Sequence, residues 1–285
     1  MFTLKIENIK NTILELTQNE DKYQVLSVKG LNPPNAQINR STVAGLDGSK
    51  FNSSKLEERN IVITLKLNGD IETNRINLYN YFNTKQWCKI YYKNESRDVY
   101  IEGYVETCEC DLFTNNEIMQ ISIICPNPYF KGMEEIVDDI SKSIAAFEFP
   151  FAIDSTGIEF SRIDNSKITN VYNNSESETG VIIVIDVLNN CDKIQIKNVS
   201  TGETFTLNYN FLEDDKITID TNKGSKSISL LRNAQTINLF SGLTSDSTFF
   251  QLSIGDNYFS YLVDNGTNDD AIHIVFKHYT LYGGV

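Results

Sequence analysis

The chain has 285 residues, 40% hydrophobic and 22% charged, with a formal net charge of -13 at pH 7. That is apolar material and length enough for two buried cores, and it is not the composition of a disordered chain. The acidic balance argues against a nucleic-acid footprint and against adsorption to anionic lipid, both of which need a basic face.

The chain opens MFTLKIENIK, with alternating residues in place of a basic and then apolar leader. No apolar run approaches the roughly 18 residues of a membrane span. The expectation is a protein made and kept in a cytoplasm. The segment Leu31 to Lys55 follows, with Pro33-Pro34, Gly45 and Gly48 and no periodicity. It reads either as a surface loop or as an arm that orders against a neighbouring subunit.

Beyond it the pattern turns to period two. Ile61, Ile63, Leu65 and Leu67 share one face; Val99, Ile101 and Val105 share another, as do Met119, Ile121 and Ile123. Between them Ile76, Tyr79 and Phe82 recur at helical spacing behind Asp70, a candidate N-cap. A strand with Trp87, Ile90 and Tyr92 is expected next. These predict an antiparallel β domain carrying one packed helix.

That domain is expected to close at CPNPYFKG, residues 125–132. Pro126 and Pro128 cannot donate to a ladder, so the strand Ile118–Ile124 must stop near Cys125. Tyr129 and Phe130 then pin a stiff exit, which makes Cys125, Pro126, Pro128, Tyr129 and Phe130 a junction clamp. The expected division is 1–134 for the first domain, 135–147 for an acidic linker and 148–285 for the second. Whether the last residues end in the second domain or return to the first is left open.

The second half predicts strands at Val181–Val187, Lys193–Val199, Thr204–Tyr209, Lys216–Asp220, Ser227–Leu231, Phe249–Ile254, Tyr258–Val263 and Ile272–Tyr279. Turn residues separate them, including Thr201-Gly202-Glu203, Gly255-Asp256-Asn257 and Asn265-Gly266. Short strands at this spacing read as a β-sandwich.

The sequence offers little catalytic chemistry. His273 and His278 are the only histidines, and their odd spacing puts them on opposite faces of one strand. The pairs Asp138-Asp139, Asp214-Asp215 and Asp269-Asp270 read as solvated acidic turns, although counting acids never excludes a glycosidase pair. No P-loop, dinucleotide glycine pattern or EF-hand loop is present, so no cofactor or metal is expected. Five scattered cysteines, Cys88, Cys108, Cys110, Cys125 and Cys191, read as buried free thiols. Exposed aromatics on the second domain, taken as Tyr258, Phe259 and Tyr261, offer stacking surfaces for carbohydrate.

Several strings in their order resemble the siphovirus distal tail protein family. They are Arg40 to Phe51 with Asp47-Gly48, followed by Glu58-Arg59; CPNPYFKG; the turn Asn198–Glu203; Ile217–Thr221; Leu252–Asn257; and the ending Tyr282–Val285. Phe249-Phe250 stands where many relatives carry Trp. The resemblance implies an N-terminal domain that forms a six-membered ring at the end of the tail tube, and an outward galectin-like or carbohydrate-module-like sandwich. It implies a non-enzymatic baseplate hub at the distal tip of the virion tail. Its partners would be further copies of itself, the tube protein, the tail-tip hub or lysin protein and receptor-binding proteins. Pro33, Pro34, Arg40, Asp47, Phe51 and Arg59 become the ring-interface candidates. The alternative is an adhesin that binds cell-wall glycan.

Overall fold

The structure is a computed structural model and describes residues 2–18, 22–45, 47–112, 117–139, 143–144, 162–163, 168–264 and 271–285. The described residues are mainly antiparallel β with one α-helix, in two units: Met1–Met133 with Leu281–Val285, and Glu134–Thr280.

The first unit holds β1 (Thr3–Asn8), β2 (Ile13–Leu16), β3 (Tyr23–Lys29), β4 (Ala36–Ser41), β5 (Lys50–Leu56), β6 (Arg59–Leu67), α1 (Ile71–Tyr81), β7 (Trp87–Lys93), β8 (Asp98–Cys110) and β9 (Ile118–Cys125). β10 (Phe130–Asp139) starts here and carries the chain into the second unit. Hydrogen-bonded neighbours run β2-β1-β7-β8-β9-β6-β3, every pair antiparallel. A bond from Val25 N to Thr17 O (3.3 Å) links the two ends, so the sheet curls almost shut. Strand alternation puts Leu4, Ile6, Ile61, Ile63, Leu65, Ile90, Ile121 and Ile123 inside, all without exposed surface.

α1 begins where the sequence predicts. Asp70 accepts from Thr73 N (3.3 Å) and from Thr73 Oγ1 (2.8 Å). Its buried face differs from the expected one. Asn74, Leu78 and Phe82, spaced by four, turn inward, while Ile76 is exposed. Asn74 is tolerated there because its Nδ2 donates to Asn68 O (2.8 Å).

The segment after Leu31 is not structureless. Among the described residues β4 and β5 form a hairpin that pairs with no other strand, and every residue of both strands is exposed.

The second unit continues with the short pair β11 (Ser143–Ile144) and β12 (Arg162–Ile163), then β13 (Thr169–Asn173), β14 (Ile182–Val187), β15 (Cys191–Asn198), β16 (Thr204–Phe211), β17 (Lys216–Asp220), β18 (Ser227–Arg232), β19 (Gln235–Asn238), β20 (Gly255–Asp264) and β21 (Ile272–Tyr282). The last two residues of β21 belong to the first unit, so the chain end returns there. One sheet runs β13-β20-β15-β16 and another β21-β14-β17-β18-β19. Their inward residues share one core, bridged by Phe259 against Phe276, ring centroids 4.8 Å apart.

Three expectations change in the second half. Residues 135–139 are strand β10, not linker; 140–142 and 145–161 lie outside the described residues, as do Asn265-Gly266 and Asp269-Asp270. Phe249–Ile254 is not a strand but an irregular segment with a single bridge, Thr179 to Leu252. Phe250 and Leu252 still fill the core, so their alternation reports burial without a ladder. β13 and β19 went unpredicted because both are short and polar.

Candidate subunit interface

The ring candidates divide between the hairpin and its root. Arg40, Asp47 and Phe51 lie on the hairpin; Pro33, Pro34 and Arg59 lie where it leaves the body of the unit.

Arg59 opens β6 and is only 3% exposed. Its guanidinium donates to four main-chain carbonyls: Gly30, Asn32 (2.6 Å), Pro128 (2.7 Å) and Gly283 (2.6 Å). It also sits 4.6 Å over the Phe130 ring. Burial lowers its pKa from the ordinary arginine value, against an opposing influence from Cys125. A buried cation with its donors spent inside the unit has little left for a partner's surface. Arg59 therefore moves from contact residue to the fastener of the hairpin root.

That fastener gathers distant sequence. Gly30 has φ +85°, and a Cβ there would meet Asn60 O at 2.1 Å, so only glycine fits. A Cβ on Gly284 would meet Pro33 Cδ at 2.9 Å. Val285 N donates to Leu31 O (3.0 Å), and Arg97 stacks 4.2 Å over Tyr282. The CPNPYFKG motif feeds the same place. Cys125 and Phe130 are buried in the core, Pro128 gives its carbonyl to Arg59, and Asn127 Oδ1 accepts from Tyr129 N (3.1 Å). Tyr129 is half-buried and Pro126 exposed. The motif holds the first unit together inside itself, and the chain passes to the second unit later, after Met133.

Burial raises the pKa of all five thiols. Burial pushes Cys88, Cys108 and Cys125 up to about 12 and Cys191 up to about 11. Cys108 and Cys110 both border the core, Cys108 beside Met119 (3.6 Å). Among the described residues no cluster of His, Cys, Asp or Glu could hold a metal ion, and no helix is long and apolar enough to cross a membrane. His273 faces Asp139 (3.0 Å) and Asp186 (3.7 Å); His278, on the opposite face of β21, is buried beside Asp138 (3.6 Å).

The three proposed glycan-stacking residues do not form one platform. Phe259 is fully buried between Phe250 and Phe276, and Tyr261 packs on the same inner side. Only Tyr258 faces out. Its missed companion is Tyr172. Register pairs Asn170 with Tyr258 and Tyr172 with Asp256, so the two exposed tyrosines sit diagonally on one face. Asn170 Nδ2 donates to Asp256 Oδ1 (2.6 Å) between them. No sequence signal marked Tyr172, because β13 itself went unseen.

Comparison with known proteins fits this two-unit β architecture. Residues 14–125 match the family described as phage tail protein RIFT-related domain, and residues 174–278 match the siphovirus-type tail component, C-terminal domain. The chain belongs to the siphovirus-type distal tail proteins. No curated protein matches it. Among solved structures it is similar to the Dit protein of phage SPP1, described as a paradigm of the hub adsorption apparatus in phages that infect Gram-positive hosts. That likeness has a TM-score of 0.71 at 16% identity and covers 98% of this chain and 99% of that one. It is also similar to a chain of the phage P2 baseplate in its activated conformation with Ca, TM-score 0.55 at 13% identity, covering 98% of both. At such identities these likenesses establish the fold.

Proposed function

We propose that this distal tail protein is a non-enzymatic baseplate hub that assembles as a six-membered ring at the end of the tail tube. The observation that carries it is the β4–β5 hairpin. An isolated two-stranded ribbon is marginal in water and has no core of its own. Here it projects Ile38 and Phe51 at 59% and 61% exposure from a unit that is otherwise well packed. An arm on one copy that needs cover from the next makes a head-to-tail contact, which closes into a ring. The ring's two faces would then take the tube protein on one side and tail-tip hub, lysin and receptor-binding proteins on the other. Localisation follows: made in the host cytoplasm and carried at the virion tail tip.

Light scattering at rising concentration, followed by negative-stain imaging, tests this. Rings with an open centre are expected. A chain that stays monomeric at its highest soluble concentration overturns the ring.

A second reading adds host-glycan contact through Tyr172 and Tyr258. The exposed diagonal pair with an amide and a carboxylate between suits stacking on one sugar face and hydrogen bonding to its hydroxyls. Binding to host-wall polysaccharide that is lost in Tyr172→Ala and Tyr258→Ala would support it; no binding by the unmodified protein sinks it.

A further inference from the structure

The sequence EEIVDD, residues 134–139, ends β10 beside β21. β10 pairs with β8 only at Lys131 and Gly132. Among the described residues, 134–139 therefore have β21 on one side and no strand on the other. Glu134, Glu135 and Val137 are exposed; Ile136, Asp138 and Asp139 are half-buried. An edge segment with so little buried apolar surface is among the first to open. Charge supplies much of its grip. Four of its six side chains are carboxylates, and every basic residue of β21 faces one. Lys277 pairs with Glu135 (3.5 Å), His273 with Asp139 (3.0 Å) and His278 with Asp138 (3.6 Å). Two of these three bases are histidines, the only ones in the chain, so the charge across this seam varies with pH.

The two faces of the seam differ. On the outer face the His273 side chain is 31% exposed and also lies 3.7 Å from Asp186 on β14, which in turn pairs with Lys216 on β17 (3.2 Å). A proton there joins carboxylates in contact with water. On the inner face the His278 side chain has no exposed surface. It shares that face with Ile274 and Phe276 of β21 and, by register, with Val181, Ile183 and Ile185 beside β21, all fully buried. Asp138 is the charged group it faces. Alternation puts Glu134 on the same side of β10, but exposed. Among the described residues neither ring nitrogen of His278, nor Asp138 Oδ2, has a partner at hydrogen-bond distance. A proton on His278 would place a cation in apolar surroundings, short of the one carboxylate that could answer it. Drawing Asp138 inward would cost that carboxylate its own hydration. Peeling β10 away instead admits water to the ring, and β10 is the loosely held partner.

We propose that residues 134–139 form an acid-released edge strand, with His278 sensing the proton and His273 acting as a brake. Relative magnitudes set the direction. A buried group that charges only on opening favours the open form by up to about tenfold per pH unit below its ordinary value. A solvent-exposed pair such as His273–Asp139 changes an equilibrium by about twofold to fivefold. The inner face therefore decides, and acid loosens the seam. Release would bare the backbone edge of β21. The proposal stands whether or not the ring forms.

Hydrogen exchange on the purified full-length chain tests it, at about pH 7.5 and about pH 5.5, with rates corrected for their intrinsic pH dependence. Opening of 134–139 and 272–278 is expected to rise in acid by up to about tenfold, while β17 and β18 stay unchanged. His278→Leu should abolish the rise, and His273→Gln should enlarge it. No rise in the unmodified chain, an equal rise in β17 and β18, or an equal rise in His278→Leu would overturn the proposal. Should His278→Leu not fold, the ring-proton resonances of the two histidines decide, told apart by His273→Gln. A His278 signal that titrates below 6.5 together with the β10 amides supports the proposal; one that titrates at 6.5 or above overturns it.

Discussion

The arm and its root are neighbours in sequence and opposites in physics. The root spends a buried guanidinium, two proline-rich turns and the chain terminus on internal order. The arm, beginning a few residues later, buries nothing of its own. A base fastened so thoroughly under an element left so bare is the contrast on which the proposed ring rests. The same inside-outside contrast recurs in the sandwich, where consecutive residues Tyr258 and Phe259 face water and core.

The comparison breaks most visibly if inner and outer residues cost the same to remove. Phe259→Ala should be the most damaging single change, about 3–5 kcal/mol, because it empties the contact between both sheets. Tyr258→Ala should stay within about 0.5 kcal/mol. Chemical denaturation of both variants reads the difference; similar midpoints would refute the placement of β20.

Arg59→Ala should follow, at about 3 kcal/mol or more, because buried carbonyls lose their donors together. Arg59→Lys should not rescue it, since one ammonium cannot serve four carbonyls spread around a planar fork. Hydrogen exchange should show residues 30–32 and 283–285 loosening together. Protection unchanged in either segment would separate the terminus from the arm root.

Most of the fold was legible because burial alternates with period two. Ile61 to Leu67 and Ile183 to Ile185 announce their strands, and Asp70 announces its helix. The site was legible only in part. The proline pair and Phe51 mark the arm, yet the bulge at Asn52, where Asn39 pairs with Ser53 and Arg40 with Phe51, depends on cross-strand register, which no local pattern contains. Arg59 looked like a surface cation because nothing in sequence shows carbonyls arriving from residues 30, 32, 128 and 283. Strand alternation alone separates Tyr258 from Phe259 and Tyr261, so the three expected stacking aromatics could not share one face. Which of the two faces of β20 is buried was set by partners the sequence did not reveal.

A smaller effect separates the units by pH. His278 is buried beside Asp138 on β10, and on β21 the neighbouring charged group Lys277 pairs with Glu135 (3.5 Å). Burial lowers the His278 pKa below its ordinary 6.5, although Asp138 pulls the other way. The folded state therefore binds this proton less readily than the unfolded chain. Stability from a neutral His278 is complete above pH 6.5 and declines as pH falls from there toward the lowered folded value. Melting of the second unit should drop through that window, while the first unit, which contains no histidine, should show no such component.

The smallest expected effect is the most telling about the arm. Ile38→Ser removes an exposed apolar side chain from a ribbon whose strand residues are all exposed. Its cost to the isolated fold should be within about 0.5 kcal/mol, the range of surface changes. In an assembled ring the same side chain would be covered, so the variant should dissociate at higher protein concentration than the unmodified chain. A thermal melt at low concentration and a dilution series read the two quantities separately. Loss of fold stability in the monomer would mean the arm packs against its own unit. Unaltered dissociation would remove Ile38 from the interface and leave Phe51 and Arg40 to carry it.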